Sequence, residues 1–279
     1  MIKGTTKIIG IFGYPVEHTK SPAMHNAAFE HLGLDYCYVP FSVKPEGLKA
    51  AVDGIRAFGL AGVNITVPHK ETVLPFLDKL SEEASFIGAV NTVKNENGIL
   101  TGYNTDGIGF MRSLEEKGVQ AKGKKVLILG AGGAARAVGY ALCKESFECH
   151  IYNRTVEKGI ALCGHLAKAG GKVRMADNDS INDKVFLSEM DILINTTSVG
   201  LAESDAPLLK TSLLAPGQIV CDLIYKQTSF LKEASKAGCV TMNGLGMLLW
   251  QGAAAFEIWT AAKAPVEIMR KALEKNLLG

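Results

Sequence analysis

Three things are scarce in this chain, and each scarcity excludes a class of protein. Net charge is the first: 30 Lys and Arg against 28 Asp and Glu leave +2, with no block of like charges. Neither nucleic acid nor an anionic membrane is therefore an expected partner. Paired cysteines are the second. Cys37, Cys143, Cys149, Cys163, Cys221 and Cys239 lie far apart with no C-x-x-C pair, which argues against a disulfide framework or a zinc site. A reduced, cytoplasmic protein with small buried thiols is expected instead. Long apolar runs are the third. The richest, 246–262, is interrupted by Gln251 and Glu257 and reads as a buried helix, not a membrane span. The opening MIKGTTKIIGIFGYP lacks a small-residue cleavage signal and reads as a first strand. His18, His25 and His69 show no metal-ligand spacing, so no metal is assigned. A monomer and a homodimer both fit.

What is present begins with length: 279 residues suffice for two domains, each with its own core. The second half is organised by Val126–Arg136, VLILGAGGAAR, an apolar run that breaks into glycines. Gly130, Gly132 and Ala135 fit G-x-G-x-x-G/A, in which the first glycine turns, the second admits a pyrophosphate and the small third residue lets helix pack on strand. The backbone of Gly130, Ala131, Gly132, Gly133 and Ala134 would then face phosphates at a helix N-terminus. A ligand-free strand-to-helix turn is the alternative, and the flanks decide. A helix over 134–144 leads to a strand over 149–152, which delivers Asn153-Arg154-Thr155. NAD readers usually place an acid there for the ribose 2′-hydroxyl. Here an arginine stands in that place, and a guanidinium pairs with a 2′-phosphate, so NADP is favoured over NAD. Strands over 172–175, 191–194, 219–223 and 239–242 and a helix over 230–237 follow. Thr196, Thr197 and Ser198 at a strand end form a candidate cofactor loop. A helix from 244 through Trp259 and a last helix with the stripe Val266, Met269, Leu273 and Leu277 close the chain.

The first half reads β-α-β-α-β: strands over 7–12, 36–41 and 62–67 alternate with helices over 21–33 and 45–58, implying a mainly parallel sheet. Ser21 as N-cap and Pro22 at N1 mark the first helix start. Asn95-Glu96-Asn97-Gly98 between the apolar segments 89–93 and 99–103 is a hairpin signal. Polar residues gather where these strands end: Thr19, Ser21, Asn64, Thr66, Lys70, Asn91, Asn104 and Asp106. Ligands of open α/β sheets bind beyond strand carboxyl ends, so a polar small-molecule pocket is the leading reading. Each residue has a plainer alternative. Ser21 and Asp106 can cap helices, Lys70 can be solvated, and the asparagines can be turn formers. Lys70 follows Pro68 near an expected helix start, whose macrodipole disfavours a cation. A Lys70–Asp106 pair could hold and exchange a proton with a substrate hydroxyl.

The chain resembles the shikimate dehydrogenase family over nearly its full length. The matching stretches are GYPVEHTKSPAMHN (13–26), GVNITVPHK (62–70), GAVNT (88–92), YNTDG (103–107), GAGGAAR (130–136), NRT (153–155), NTTSVG (195–200) and NGLGMLLWQGAAAFEIW (243–259). The resemblance implies an α/β protein of two domains. A mainly parallel substrate domain would be built from 1–105 and 244–279, with the C-terminal helices returning to it. A Rossmann-type dinucleotide-binding domain would span 106–243. It implies reversible reduction of 3-dehydroshikimate to shikimate by NADPH, with Lys70 and Asp106 as the catalytic pair. Thr19 and Ser21 are then expected on the substrate carboxylate, Asn64, Thr66, Asn91 and Gln251 on the ring hydroxyls, and Tyr225 and Gly246 near the nicotinamide. The chain departs from the family pattern at Thr19, where serine is common, and after Tyr225, where Lys226-Gln227-Thr228 replaces a proline-containing stretch. A quinate/shikimate dehydrogenase with relaxed cofactor choice and a non-catalytic nucleotide-binding regulator are the competing readings.

Overall fold

A computed structural model describes residues 2–119, 123–145, 147–202 and 204–278, without the side chains of Leu277 and Leu278. The chain divides into two compact units, Met1–Gly109 with Leu249–Gly279, and Phe110–Leu248. The elements run β1 (Lys7–Gly13), α1 (Ser21–His31), β2 (Tyr36–Ser42), α2 (Leu48–Ala57), β3 (Gly62–Ile65), β4 (Lys79–Leu80), α3 (Glu82–Ile87), β5 (Thr92–Glu96), β6 (Ile99–Tyr103) and α4 (Asp106–Glu116). They continue with β7 (Lys125–Leu129), α5 (Gly133–Lys144), β8 (Glu148–Tyr152), α6 (Val156–Ala167), β9 (Lys172–Met175), α7 (Lys184–Ser188), β10 (Ile192–Asn195), β11 (Ile219–Asp222), α8 (Ser229–Lys236), β12 (Val240–Met242), α9 (Leu245–Thr260) and α10 (Val266–Leu278).

The first unit is a sheet in the order β2-β1-β3-β5-β6-β4. Strands β1, β2 and β3 pair in parallel, and the β5–β6 hairpin adds antiparallel to β3. Its two-residue turn is Asn97-Gly98, both at positive φ (54° and 88°), the geometry an Asn-Gly pair supplies. One face packs on α2 through Leu48, Val52 and Ile55, which share a core with Phe12, Val63, Ile65 and Val93. Buried aromatics lie between α1 and α9: Phe29 and Phe256 stack at 5.2 Å, and the Trp259 indole donates to the Val93 carbonyl at 2.9 Å. A Cβ at Gly62 would run into Trp259 and that carbonyl, so the close approach of α9 requires glycine there.

His25 is fully buried in this aromatic group, stacked on Tyr38 at 4.5 Å, and neither ring nitrogen has a hydrogen-bond partner among the described residues. Burial alone drives its pKa down to about 3. The folded chain thus keeps His25 neutral where the unfolded chain protonates it, below about pH 6.5. Stability from this site is complete above that pH and falls as pH drops toward 3. Urea unfolding at pH 7 and pH 5 should show the wild type losing about 2 kcal/mol more than His25→Phe over that interval. Equal losses in the two proteins would contradict this origin.

The second unit is a wholly parallel sheet in the order β12-β11-β10-β7-β8-β9. Numbered from its own first strand this is the order 3-2-1-4-5-6, which reverses between β7 and β10, where open sheets of this type take their ligands. Leu127, Leu129, Leu193 and Val220 fill one core with Leu187, Phe230 and Leu231. On α5, Gly139 comes so close to Leu166 of α6 that a Cβ would meet its Cδ1 at 2.6 Å.

Several local expectations are corrected. Ser21 does not cap α1: the N-cap position is Lys20, and the Ser21 amide donates to Thr19 Oγ1 at 3.4 Å. No α-helix starts after Pro68. Residues 67–73 are mostly turns, followed by a 3₁₀ turn at Leu74–Phe76, so a macrodipole does not act on Lys70. The helix expected over 45–58 is a 3₁₀ turn, Pro45–Gly47, followed by α2. Sequence patterning does not reveal β4, α3, α6 and α7. In α6 the exposed Val156 and Ile160 blur the apolar stripe, and α7 is too short for a helical period to show.

Candidate active site

The first unit gathers its polar residues around two buried asparagines. Lys70 Nζ lies 2.6 Å from Asp106 Oδ2, with the lysine side chain 29% exposed and the aspartate side chain 9%. The other carboxylate oxygen, Oδ1, accepts from Asn91 Nδ2 at 2.8 Å. Asn91 is held in turn: its Oδ1 accepts from the Thr105 amide at 2.9 Å and from Thr92 Oγ1 at 3.0 Å. Asp106 opens α4, and its amide donates to Asn104 Oδ1 at 3.0 Å, so Asn104 supplies the capping oxygen and leaves the Asp106 carboxylate free for Lys70. The loop bearing Lys70 is tied at both sides. Val90 N donates to the Lys70 carbonyl at 2.8 Å, and buried His69 donates Nε2–H to the Val43 carbonyl at 2.6 Å.

Asn64, next to last in β3, lies beside this pair. Its Nδ2 donates to the Asn91 carbonyl at 2.9 Å and to Thr92 Oγ1 at 3.1 Å, and its Oδ1 accepts from the Tyr38 hydroxyl at 2.6 Å. Tyr38 is buried, which pushes its phenol well above the usual range, and Ser21 is its other side-chain partner. Ser21 and Asn64 therefore meet through one neutral phenol. Gln251 on α9 reaches Asn91 Nδ2 with its Oε1 at 3.4 Å. A Cβ at Gly109 would strike the Gln251 backbone, so glycine on α4 admits this turn of α9. Thr66 and Thr19 are half-buried at the edge of the same group. Thus Thr19, Ser21, Asn64, Thr66, Lys70, Asn91, Asp106 and Gln251 all lie in the first unit, and Tyr225, 40% exposed, lies in the second.

The glycine turn of the second unit fits a dinucleotide. Gly130 has φ +117°, and a Cβ there would reach Thr197 Cγ2 at 2.9 Å, so only glycine lets β7 turn against the end of β10. Gly132 is the N-cap of α5, has no side chain to satisfy the first amides, and a Cβ on it would meet nothing within 4 Å. Ala135 is fully buried, as the small third position requires. The start of α5 is an open cradle of backbone donors. Arg154 stands exposed just beyond β8, and Asn153 Nδ2 bonds the Thr155 carbonyl at 2.7 Å. Thr196 Oγ1 donates to the Leu129 carbonyl at 2.8 Å, while Ser198 is exposed. At Gly246 a Cβ would meet Ser113 Cβ at 3.0 Å.

Sequence profiles match along the chain: the shikimate dehydrogenase substrate binding domain over residues 11–93, shikimate / quinate 5-dehydrogenase over 113–212, and the shikimate 5′-dehydrogenase C-terminal domain over 244–274. The chain is 46% identical to the shikimate dehydrogenase (NADP(+)) of Methanocaldococcus jannaschii, covering 98% of each. The chain belongs to the shikimate dehydrogenase family. Among solved members, the Aquifex aeolicus shikimate dehydrogenase superposes with a TM-score of 0.91 at 41% identity, over 98% of this chain and 99% of that one. The Thermus thermophilus enzyme, solved with NADP(H) and shikimate, gives 0.88 at 38% identity over 97% and 100%. The family's two-domain α/β architecture, with a substrate domain and a Rossmann-type domain, is the architecture found in this chain.

Sequence reasoning missed Tyr38, His69 and Asp222, whose side chains are buried; Tyr38 bonds Asn64 directly, whereas His69 and Asp222 act on functional candidates through neighbouring chain. His69 and Tyr38 carried no signal beyond residue type. Asp222 did: an acid closing an apolar strand is costly unless donors surround it.

Proposed function

We propose that this chain catalyses the reversible, NADP-dependent interconversion of 3-dehydroshikimate and shikimate in the shikimate pathway. The observation that carries this reading is the 2.6 Å Lys70–Asp106 pair, oriented by Asn91 on the far carboxylate oxygen. In the reducing direction the Lys70 ammonium donates a proton to the substrate carbonyl oxygen. In the oxidising direction the amine takes the hydroxyl proton. Asp106 accepts a hydrogen bond from Lys70 Nζ as ammonium and as amine and holds it in place for a proton transfer worth ~10²–10⁴-fold in rate.

Thr19 and Ser21 present hydroxyls for the substrate carboxylate beside the start of α1, whose amides favour an anion. Asn64 has both amide hydrogens engaged with Asn91 and Thr92, so toward a ring hydroxyl it offers an acceptor. Thr66, Asn91 and Gln251 complete the hydroxyl contacts, and Tyr225 is the second unit's substrate residue. NADP, when bound, supplies or accepts the hydride. Gly130, Ala131, Gly132, Gly133 and Ala134 would hold its pyrophosphate, and Asn153, Arg154 and Thr155 its 2′-phosphate end. Thr196, Thr197, Ser198 and Gly246 would flank the nicotinamide half. The free thiols support a cytoplasmic setting, and either a monomer or a homodimer is compatible with it.

The test is an assay of NADPH formation with shikimate and quinate in parallel. Turnover of shikimate with a kcat/KM well above that for quinate is expected. Turnover of quinate alone, or of neither, would contradict the reading.

A further inference from the structure

The second unit holds a buried carboxylate that no step above uses. Asp222, the last residue of β11, is 1% exposed. Its Oδ1 accepts from Asn195 Nδ2 and from the Ile224 amide, both at 3.0 Å, and its Oδ2 accepts from Thr228 Oγ1 at 2.7 Å. Burial raises its pKa, and these donors oppose that rise. Each donor belongs to a different piece of chain. Asn195, wholly buried at the end of β10, also donates Nδ2 to the Val199 carbonyl at 3.0 Å. Its Oδ1 accepts from the Thr197 amide at 2.9 Å and from Thr197 Oγ1 at 2.7 Å. The amide cannot be reversed, because its nitrogen faces two acceptors and its oxygen two donors. Ile224 immediately precedes Tyr225. Thr228 caps α8, accepting from the Leu231 amide at 3.4 Å.

We infer that Asp222 is a positioning residue for dinucleotide binding: by drawing Asn195, Ile224 and Thr228 onto one carboxylate it sets the Thr196–Ser198 loop and the backbone before Tyr225 in advance of the ligand. The inference rests on the reading that this unit holds NADP. Without the carboxylate, Asn195 Nδ2 keeps only the Val199 carbonyl, and the Ile224 amide and Thr228 hydroxyl lose their acceptor, so the loop and the backbone before Tyr225 are held less firmly.

The experiment is calorimetric titration of the full chain with NADP and with NAD, comparing wild type, Asp222→Ala, Asp222→Asn and Thr228→Val. Asp222→Ala should weaken both dinucleotides by the same factor, about ten- to a hundredfold, because the 195–199 loop is not the element assigned to the 2′-phosphate. Asp222→Asn keeps an oxygen toward Asn195 and Ile224 and should recover most of the loss. If Asp222→Ala does not fold, Thr228→Val, similar in volume, should still weaken both by several-fold. Dissociation constants within about twofold of wild type in folded variants overturn the inference, as does weakening confined to NADP. Wild-type protein that binds neither dinucleotide overturns the nucleotide reading itself, a separate result.

Discussion

Lys70→Ala should lower kcat by about 10²–10⁴-fold while the protein folds normally. The variant removes the ammonium placed on Asp106 Oδ2, at 2.6 Å. What remains of the site keeps its order. Asp106 still accepts from Asn91 at 2.8 Å, and it sits in the first turn of α4, where the helix favours a negative charge. The Lys70 backbone is held independently through Val90. The loss should therefore fall on kcat, with circular dichroism and the thermal midpoint close to wild type. A variant that turns over at the wild-type rate would remove Lys70 from the chemistry.

Arg154→Ala should weaken NADP by about ten- to a hundredfold, the range for losing a charge-assisted hydrogen bond, and leave NAD nearly unchanged. The guanidinium stands exposed past β8, the strand that ends beside the glycine turn: Gly130 N donates to the Tyr152 carbonyl at 2.7 Å. An exposed arginine contributes little to folding, so the effect should appear as a selectivity change. The measurement is kcat/KM for each dinucleotide with shikimate at saturation. Equal loss for both would place the 2′-phosphate elsewhere.

The opposed outcomes expected at Arg154 and Asp222 separate two kinds of residue, and they differ in how far the sequence reveals them. Arg154 is legible because its role depends on distance along the chain from the glycines. Gly130, Gly132 and Ala135 are legible for the same reason, and the structure gives each a physical cause: a positive φ, open space, and a fully buried small side chain. Lys70 and Asp106 were each visible as polar residues at strand ends. Their mutual distance was not, because it depends on how the sheet returns through β5 and β6. Residue chemistry suggests a Lys70–Asp106 pair, the resemblance to a family makes it the catalytic pair, and the geometry supports it with a direct ion pair.

Capping positions are the least legible feature of this sequence. Ser21 and Asp106 carry good cap chemistry, yet Thr19 and Asn104 provide the accepting oxygens two residues earlier in each case. The displaced side chains are the ones assigned to the substrate carboxylate and to Lys70. A serine followed by proline or an aspartate before glycine looks the same whether it caps its own helix or faces a ligand, so local pattern could not separate the two. Buried connectors such as Tyr38, Asn195 and Asp222 are harder still. Their function lies in which donors meet which acceptors, and that is a property of the packed sheet alone.

The most direct test of the central claim is a double-mutant cycle on the pair itself, measuring kcat for shikimate oxidation in wild type, Lys70→Ala, Asp106→Asn and the double variant. Residues that act as one unit lose their effect together, so the double variant should be no more than a few-fold slower than the worse single variant. Losses that multiply, or wild-type turnover in either single variant, would show that Lys70 and Asp106 do not form the proton-handling pair.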